Sequence, residues 1–222
     1  MFIPASIAPV LIGTAMAYEA GGGAWLPAVA ALFGSIMIQV GTNFANDYFD
    51  YKKGADNHKR LGPLRVTQAG LVKPDAMKRA VAIAFLLACA AGAYLVWHAG
   101  WPIAIIGLLS VACGILYTAG PYPLGYIGLG DLFVLVFFGP VAVGGTYYVQ
   151  TLDLDGIVVL SGMAPGLFSV AILTVNNLRD MDGDRVAGKK TLAVRFGRTF
   201  ARMEYLLSIV TASAIPGLLY LS

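Results

Sequence analysis

Charge is what this sequence has least of. Asp, Glu, Lys and Arg make up 12% of its 222 residues and hydrophobic residues 58%, against roughly 25% and 45–50% in a soluble globular domain. Half the usual charge cannot cover a water-facing surface, so an ordinary cytosolic enzyme is excluded. Two cysteines, Cys89 and Cys113, both inside apolar runs, cannot make a disulfide scaffold and read as two small buried hydrophobes. The N-terminus lacks the cationic stretch and small-residue cleavage site of a signal peptide. What is present instead is Gly (27), Pro (11), 11% aromatics and a mean hydropathy of +0.75. Such a composition excludes a disordered tail and a coiled coil, and points to an integral membrane protein.

A spanning helix needs ~20 mostly apolar residues. Seven runs qualify or nearly so: Phe2–Tyr18, Ala24–Ala45, Ala80–Trp97, Trp101–Tyr117, Leu129–Val149, Ile157–Val175 and Tyr205–Leu221. Turn-forming or polar clusters separate them, among them Gly21-Gly22-Gly23, Gly100-Trp101-Pro102, Gly120-Pro121-Tyr122-Pro123 and Asp153 to Gly156. No break suggests a soluble domain. The expected fold class is therefore all-α, a multi-pass membrane helix bundle forming one domain over residues 1–222.

All 15 Lys and Arg fall in two windows, Lys52 to Arg79 and Arg179 to Arg202. A nucleic-acid binder would not separate its basic clusters by about a hundred nearly uncharged residues, so no nucleic-acid partner is expected. Two membrane loops explain the pattern better. They follow the second and sixth runs, emerge on one face, and by the positive-inside rule place that face in the cytoplasm. Trp25, Trp97 and Trp101 then mark the outer ends as interfacial anchors.

Acidic residues near hydrocarbon are costly and are functional candidates by default. The second run ends in Asn43-Phe44-Ala45-Asn46-Asp47-Tyr48-Phe49-Asp50; at ~100° per residue, Asn43, Asp47 and Asp50 share an arc of roughly 60°. The sixth ends in Asn176-Asn177-Leu178-Arg179-Asp180-Met181-Asp182-Gly183-Asp184, where Asn176, Asp180 and Asp184 share a face and Asp182 points away. Carboxylates crowded on one face repel unless a cation joins them, and Mg²⁺ takes one or two protein carboxylates plus phosphate oxygens and water. Two matched clusters suggest two Mg²⁺ ions holding one diphosphate, with nearby Lys and Arg neutralising the remaining charge. Solvated helix ends with topology-setting cations would explain one such cluster as easily, but two matched clusters less so. Asp131 is read equally as an N-terminal helix cap or a site residue. His58 and His98 read as an exposed loop residue and an interfacial one. Phe44, Tyr48, Phe49, Tyr51, Tyr117, Tyr122 and Tyr126 form an interfacial belt that could also line a cation-stabilising site.

These motifs resemble the UbiA superfamily of intramembrane prenyltransferases, and within it the 1,4-dihydroxy-2-naphthoate polyprenyltransferase family. The first runs from Asn46-Asp47-Tyr48-Phe49-Asp50 through Lys52-Lys53-Gly54-Ala55-Asp56 to Arg60-Leu61-Gly62-Pro63-Leu64-Arg65. The second runs from Asn176-Asn177-Leu178-Arg179-Asp180 through Asp184-Arg185 to Gly188-Lys189-Lys190-Thr191-Leu192 and Arg195-Phe196-Gly197. Between them stand Tyr117-Thr118, Gly120-Pro121-Tyr122-Pro123 and Gly125-Tyr126-Ile127-Gly128-Leu129-Gly130-Asp131. The resemblance implies Mg²⁺-dependent transfer of a polyprenyl group from polyprenyl diphosphate to 1,4-dihydroxy-2-naphthoate, with loss of CO₂, in a bacterial inner membrane. It implies Asp47, Asp50, Asp180 and Asp184 as catalytic metal ligands, Asp56 as a further metal ligand, and Asn43, Asn46, Asn176, Asn177 and Tyr117 as substrate contacts. Arg60, Arg65, Arg179, Lys189, Lys190 and Arg195 are implied as diphosphate or acceptor-carboxylate partners. Another aromatic acceptor, such as 4-hydroxybenzoate or homogentisate, fits the same diphosphate motifs. A cation-coupled secondary transporter would instead place its acids near the bilayer midplane. The family has nine membrane helices and an Arg-Pro dipeptide ahead of the first, so the chain is expected to be clipped at both ends and, by itself, poorly stable or inactive.

Overall fold

The apolar runs fold as helices because a spanning backbone must satisfy its own hydrogen bonds. The computed structural model describes residues 3–54, 62–63 and 65–221. Among these it is all-helical, with α1 Ile3–Glu19, α2 Trp25–Lys52, α3 Pro74–Ala99, α4 Trp101–Leu116, α5 Gly130–Phe137, α6 Pro140–Thr151, α7 Gly156–Ser161, α8 Met163–Val186 and α9 Leu192–Leu221. The pairs α5–α6 and α7–α8 are each one broken span, which gives the seven segments expected. Five spans are long and apolar enough to cross a bilayer, and α1 and α4 are shorter apolar helices.

Several helices begin at proline, where the missing N–H is no loss: Pro74 opens α3, Pro102 lies in the first turn of α4 and Pro140 opens α6. One break was not legible in hydropathy. The fifth span is interrupted at Phe138-Gly139, where it crosses the sixth at Gly162, whose own backbone stays helical. A Cβ at Gly139 would lie 2.4 Å from the Leu135 carbonyl and 2.6 Å from the Gly162 carbonyl, so the crossing is as close as backbones allow.

The interior is built on small residues. One cluster joins Ala17, Val143, Tyr147 and Val158, a second Leu95, Ala99, Ile103 and Val149, and a third Met181, Ala193 and Ala201. Outward-facing Leu86 and Leu206 are exposed; with lipid as solvent, that is the stable arrangement. Trp25, Trp97 and Trp101 are exposed at helix ends. The cysteines are free, but Cys89 is exposed rather than buried, because it lines the cavity described below.

Two helices run beyond their hydrophobic stretches, α2 to Lys52 and α8 to Val186. Both acidic motifs therefore ride on continuous helix, which fixes the rotational phase of their side chains. α2 packs chiefly on α3, and α8 on α9.

Candidate active site

A cavity of about 1460 Å³ opens between the motif-bearing ends of α2 and α8 and continues into the bundle. Its polar end holds Asn43, Asn46, Asp47 and Asp50 from α2, and Asn176, Asn177, Arg179, Asp180 and Asp184 from α8. Arg65, Tyr117, Tyr126 and Lys189 complete it. Deeper, the lining turns apolar, with Ile38, Ala88, Leu108, Val111, Phe137 and Val149. The helical phase read from the sequence thus brings both acidic faces to one space.

The four carboxylates of that space are held in different ways. Asp47, 6% exposed, accepts backbone N–H bonds from Val66 (3.1 Å) and Thr67 (3.2 Å), which docks the segment after the first motif onto α2. Asp50 is 2% exposed; its Oδ1 accepts from the Tyr126 hydroxyl at 2.7 Å, and its Oδ2 lies 3.6 Å from both Arg65 Nη2 and Lys189 Nζ. Asp180 takes a two-pronged contact from Arg179, with Nε at 2.8 Å and Nη2 at 2.7 Å. Asp184 Oδ1 lies 3.4 Å from Lys189 Nζ. Lys189 therefore bridges one carboxylate of each motif.

The carboxamides are oriented too. Asn46 Oδ1 accepts from Thr118 Oγ1 at 2.9 Å, and Asn43 Nδ2 donates to the Gln39 carbonyl at 2.7 Å. Lys53, just past α2, donates to the carbonyls of Thr118 (2.6 Å) and Gly120 (3.4 Å). Burial lowers its pKa; Asp50 opposes that shift and Lys189 adds to it.

The donor set suits a hard divalent cation. Oxygen ligands from Asp47, Asp50, Asp180 and Asp184 face one space beside carboxamides and cations. Among the described residues no three acidic side chains are close enough to enclose a metal unaided. A divalent cation there would need water and phosphate oxygens to complete its shell, as Mg²⁺ takes them.

Several residues picked out by sequence lie elsewhere. The Lys190 side chain is exposed and outside the cavity, its backbone N–H donating to the Tyr126 carbonyl at 2.7 Å. Arg195 is exposed and uses its guanidinium on the carbonyls of Lys190 (3.0 Å) and Ile127 (2.8 Å), so it braces a loop instead of facing the cavity. Asp56 and Arg60 lie outside the described residues. Asp131 is neither alternative: Leu129 is the α5 N-cap, and Asp131 sits buried in the first turn, outside the cavity lining. Asp182 stands at the cavity rim, 71% exposed, paired with Arg198 at 2.9 Å and Arg185 at 3.7 Å. The aromatic belt divides. Phe44, Tyr117 and Tyr126 line the cavity, Tyr48 and Phe49 pack edge to face at 5.1 Å, and Tyr51 and Tyr122 are exposed. Thr118 and Lys53, which orient the first motif, were given no role by sequence reading; a Lys two residues after an acidic helix end is too common a pattern to mark one.

Seven apolar spans around a cavity that is acidic, amide-rich and basic at one end and greasy below define a membrane-embedded, multi-pass helical protein with a polar pocket at one end of the bundle. The sequence model of the UbiA prenyltransferase family matches residues 6–222, and the chain belongs to that family. It is 43% identical to the 1,4-dihydroxy-2-naphthoate octaprenyltransferase of Escherichia coli over 206 residues, 90% of this chain and 67% of that one. The proteins of the same name from Haemophilus influenzae and Mycobacterium tuberculosis are each 39% identical, covering 95% and 99% of this chain and 71% and 75% of theirs. The solved structure of a UbiA homolog from Archaeoglobus fulgidus bound to DMAPP and Mg²⁺ shares the fold. Its TM-score is 0.64 at 15% identity, over all of this chain and 78% of that one.

Proposed function

We propose that this protein transfers a polyprenyl group from polyprenyl diphosphate to 1,4-dihydroxy-2-naphthoate with loss of CO₂, giving the quinol form of demethylmenaquinone. The observation that carries the reading is one cavity with a charged, oxygen-rich end and a long apolar remainder, which matches a diphosphate joined to an isoprenoid chain. Relatives at 39–43% identity named as 1,4-dihydroxy-2-naphthoate octaprenyltransferases support the acceptor.

Asp47 and Asp50 with Asn43 and Asn46 form one half-site, and Asp180 and Asp184 with Asn176 and Asn177 the other; each would hold one Mg²⁺. When bound, the metal neutralises the leaving diphosphate and favours its departure. Arg65, Arg179 and Lys189 offset the remaining phosphate charge as fixed, pre-positioned cations. The allylic C–O bond breaks and its electron pair leaves with the diphosphate. The ring carbon bearing the acceptor's carboxylate attacks the allylic carbon and forms the new C–C bond. The bond to the carboxylate then breaks, releasing CO₂ and returning its electrons to the ring. Tyr117 and Phe44 line the wall beside the half-sites and shield the cation from water. An isoprenoid tail contributes ~0.8 kcal/mol per CH₂ kept in lipid, so a site inside the bilayer meets its substrate where the substrate resides. The two cationic windows, by the positive-inside rule, support a cytoplasmic-side position for the motifs in a bacterial inner membrane.

Membranes containing the protein, given Mg²⁺, polyprenyl diphosphate and carboxyl-labelled 1,4-dihydroxy-2-naphthoate, should release labelled CO₂ in step with a lipid-soluble quinol. Transfer to 4-hydroxybenzoate or homogentisate in preference would overturn the acceptor assignment.

A further inference from the structure

The two half-sites are carried by helices that each pack on a different neighbour, α2 on α3 and α8 on α9. Apart from α1, which touches both helices, their spacing at the motif ends depends on what lies between them. The 117–129 loop fills that place, and Tyr126 is tied to both sides of it. The Tyr126 hydroxyl donates to Asp50 Oδ1 at 2.7 Å, on the α2 side. Its ring carries two ammonium groups, Lys53 Nζ at 4.7 Å and Lys189 Nζ at 4.8 Å from the centroid. Its carbonyl accepts from the Lys190 N–H at 2.7 Å, on the α8–α9 side. Beside it, Gly128 has φ +80°, and a Cβ there would lie 2.7 Å from the Lys190 carbonyl, so loop and loop meet backbone to backbone.

We propose that Tyr126 is a positioning residue that sets the distance and orientation between the two acidic half-sites. Its phenol fixes the rotamer of Asp50, and its ring holds Lys189 where that ammonium reaches both Asp50 and Asp184. The inference rests on reading the cavity as the prenyl diphosphate site. It assigns to an aromatic of the interfacial belt a role that neither belt packing nor carbocation shielding requires. It also accounts for Lys190 and Arg195, which tie the loops together from outside the cavity.

The two halves of the side chain can be tested separately. Binding of farnesyl thiolodiphosphate, an analogue that does not readily ionise, is measured against Mg²⁺ concentration on the detergent-purified protein, with the melting temperature recorded alongside. Tyr126→Phe keeps the ring and removes one hydrogen bond to a charged acceptor, so affinity should fall about tenfold with little change in melting. Tyr126→Leu also removes the platform for two ammonium groups, and affinity should fall by a further severalfold. In an Asp50→Asn background, Tyr126→Phe should change affinity by less than about twofold, because the partner it positions is already altered. The inference is overturned if Tyr126→Phe binds like the parent, or if its effect is the same with and without Asp50→Asn. A parent that binds no analogue at all would sink the site assignment and this inference together, whereas a binding parent with an indifferent Tyr126→Phe would sink only the latter.

Discussion

Asp47 has two tasks in this structure, and one substitution should reveal both. Its carboxylate is buried and accepts the N–H groups of Val66 and Thr67 at 3.1 and 3.2 Å. Asn is nearly isosteric but has a single acceptor oxygen; its amide nitrogen would face an N–H donor. Asp47→Asn therefore loses one charge-assisted bond and weakens the other. At about 1.5–3 kcal/mol for a hydrogen bond to a charged group, the expected cost is about 2–4 kcal/mol. For a chain of this length that corresponds to a fall in melting temperature of roughly 5–15 °C. Asp180→Asn is the control: its carboxylate meets the neighbouring Arg179 side chain, so the same chemical change should move the melt by no more than a few degrees. Both variants should lose prenyl transfer. Differential scanning fluorimetry of the two purified variants reads the contrast. Equal melts for Asp47→Asn and the parent would refute the docking role, since an intact segment 65–67 would then not depend on that carboxylate.

Two further outcomes follow from particular contacts. Gly139→Ala would press a methyl group into the Leu135 and Gly162 carbonyls at 2.4 and 2.6 Å; backbone cannot rotate away, so a loss of about 1–3 kcal/mol is expected, read as a lower melting temperature and yield of folded protein. Arg195→Ala removes the tie between the Lys190 and Ile127 carbonyls, and should raise the KM for polyprenyl diphosphate severalfold while kcat changes less. An unchanged KM would show that the loop holds its place without it.

Much of the architecture was legible because it is local. Hydropathy located all seven spans, and the 3.6-residue period placed Asn43, Asp47 and Asp50, and separately Asn176, Asp180 and Asp184, on faces that the fold turns into one cavity. Asp182 was read as pointing away, and it stands exposed at the rim. What could not be read depends on partners far away in the chain. The break at Gly139 falls directly before Pro140, a local signal, but its close approach to Gly162 of the next span is visible only in the fold. Lys190 and Arg195 belong to a cationic run whose members look alike; the docking of the 117–129 loop decides that Lys189 faces inward and the other two do not. Asp131 follows a Gly-Leu-Gly turn suited to a cap, yet the helix starts at Gly130, one residue before it, so the carboxylate falls inside the first turn.

The account stands on the claim that two separate acidic helix ends hold one metal-bound prenyl diphosphate. The measurement closest to that claim is prenyl transfer in membranes, from radiolabelled polyprenyl diphosphate to 1,4-dihydroxy-2-naphthoate, by the parent, Asp50→Ala and Asp184→Ala, each with Mg²⁺ and with EDTA. The account predicts labelled lipid-soluble product from the parent with Mg²⁺, and none from the parent in EDTA or from either variant. Product formation in EDTA, or full activity in one of the two variants, would contradict it.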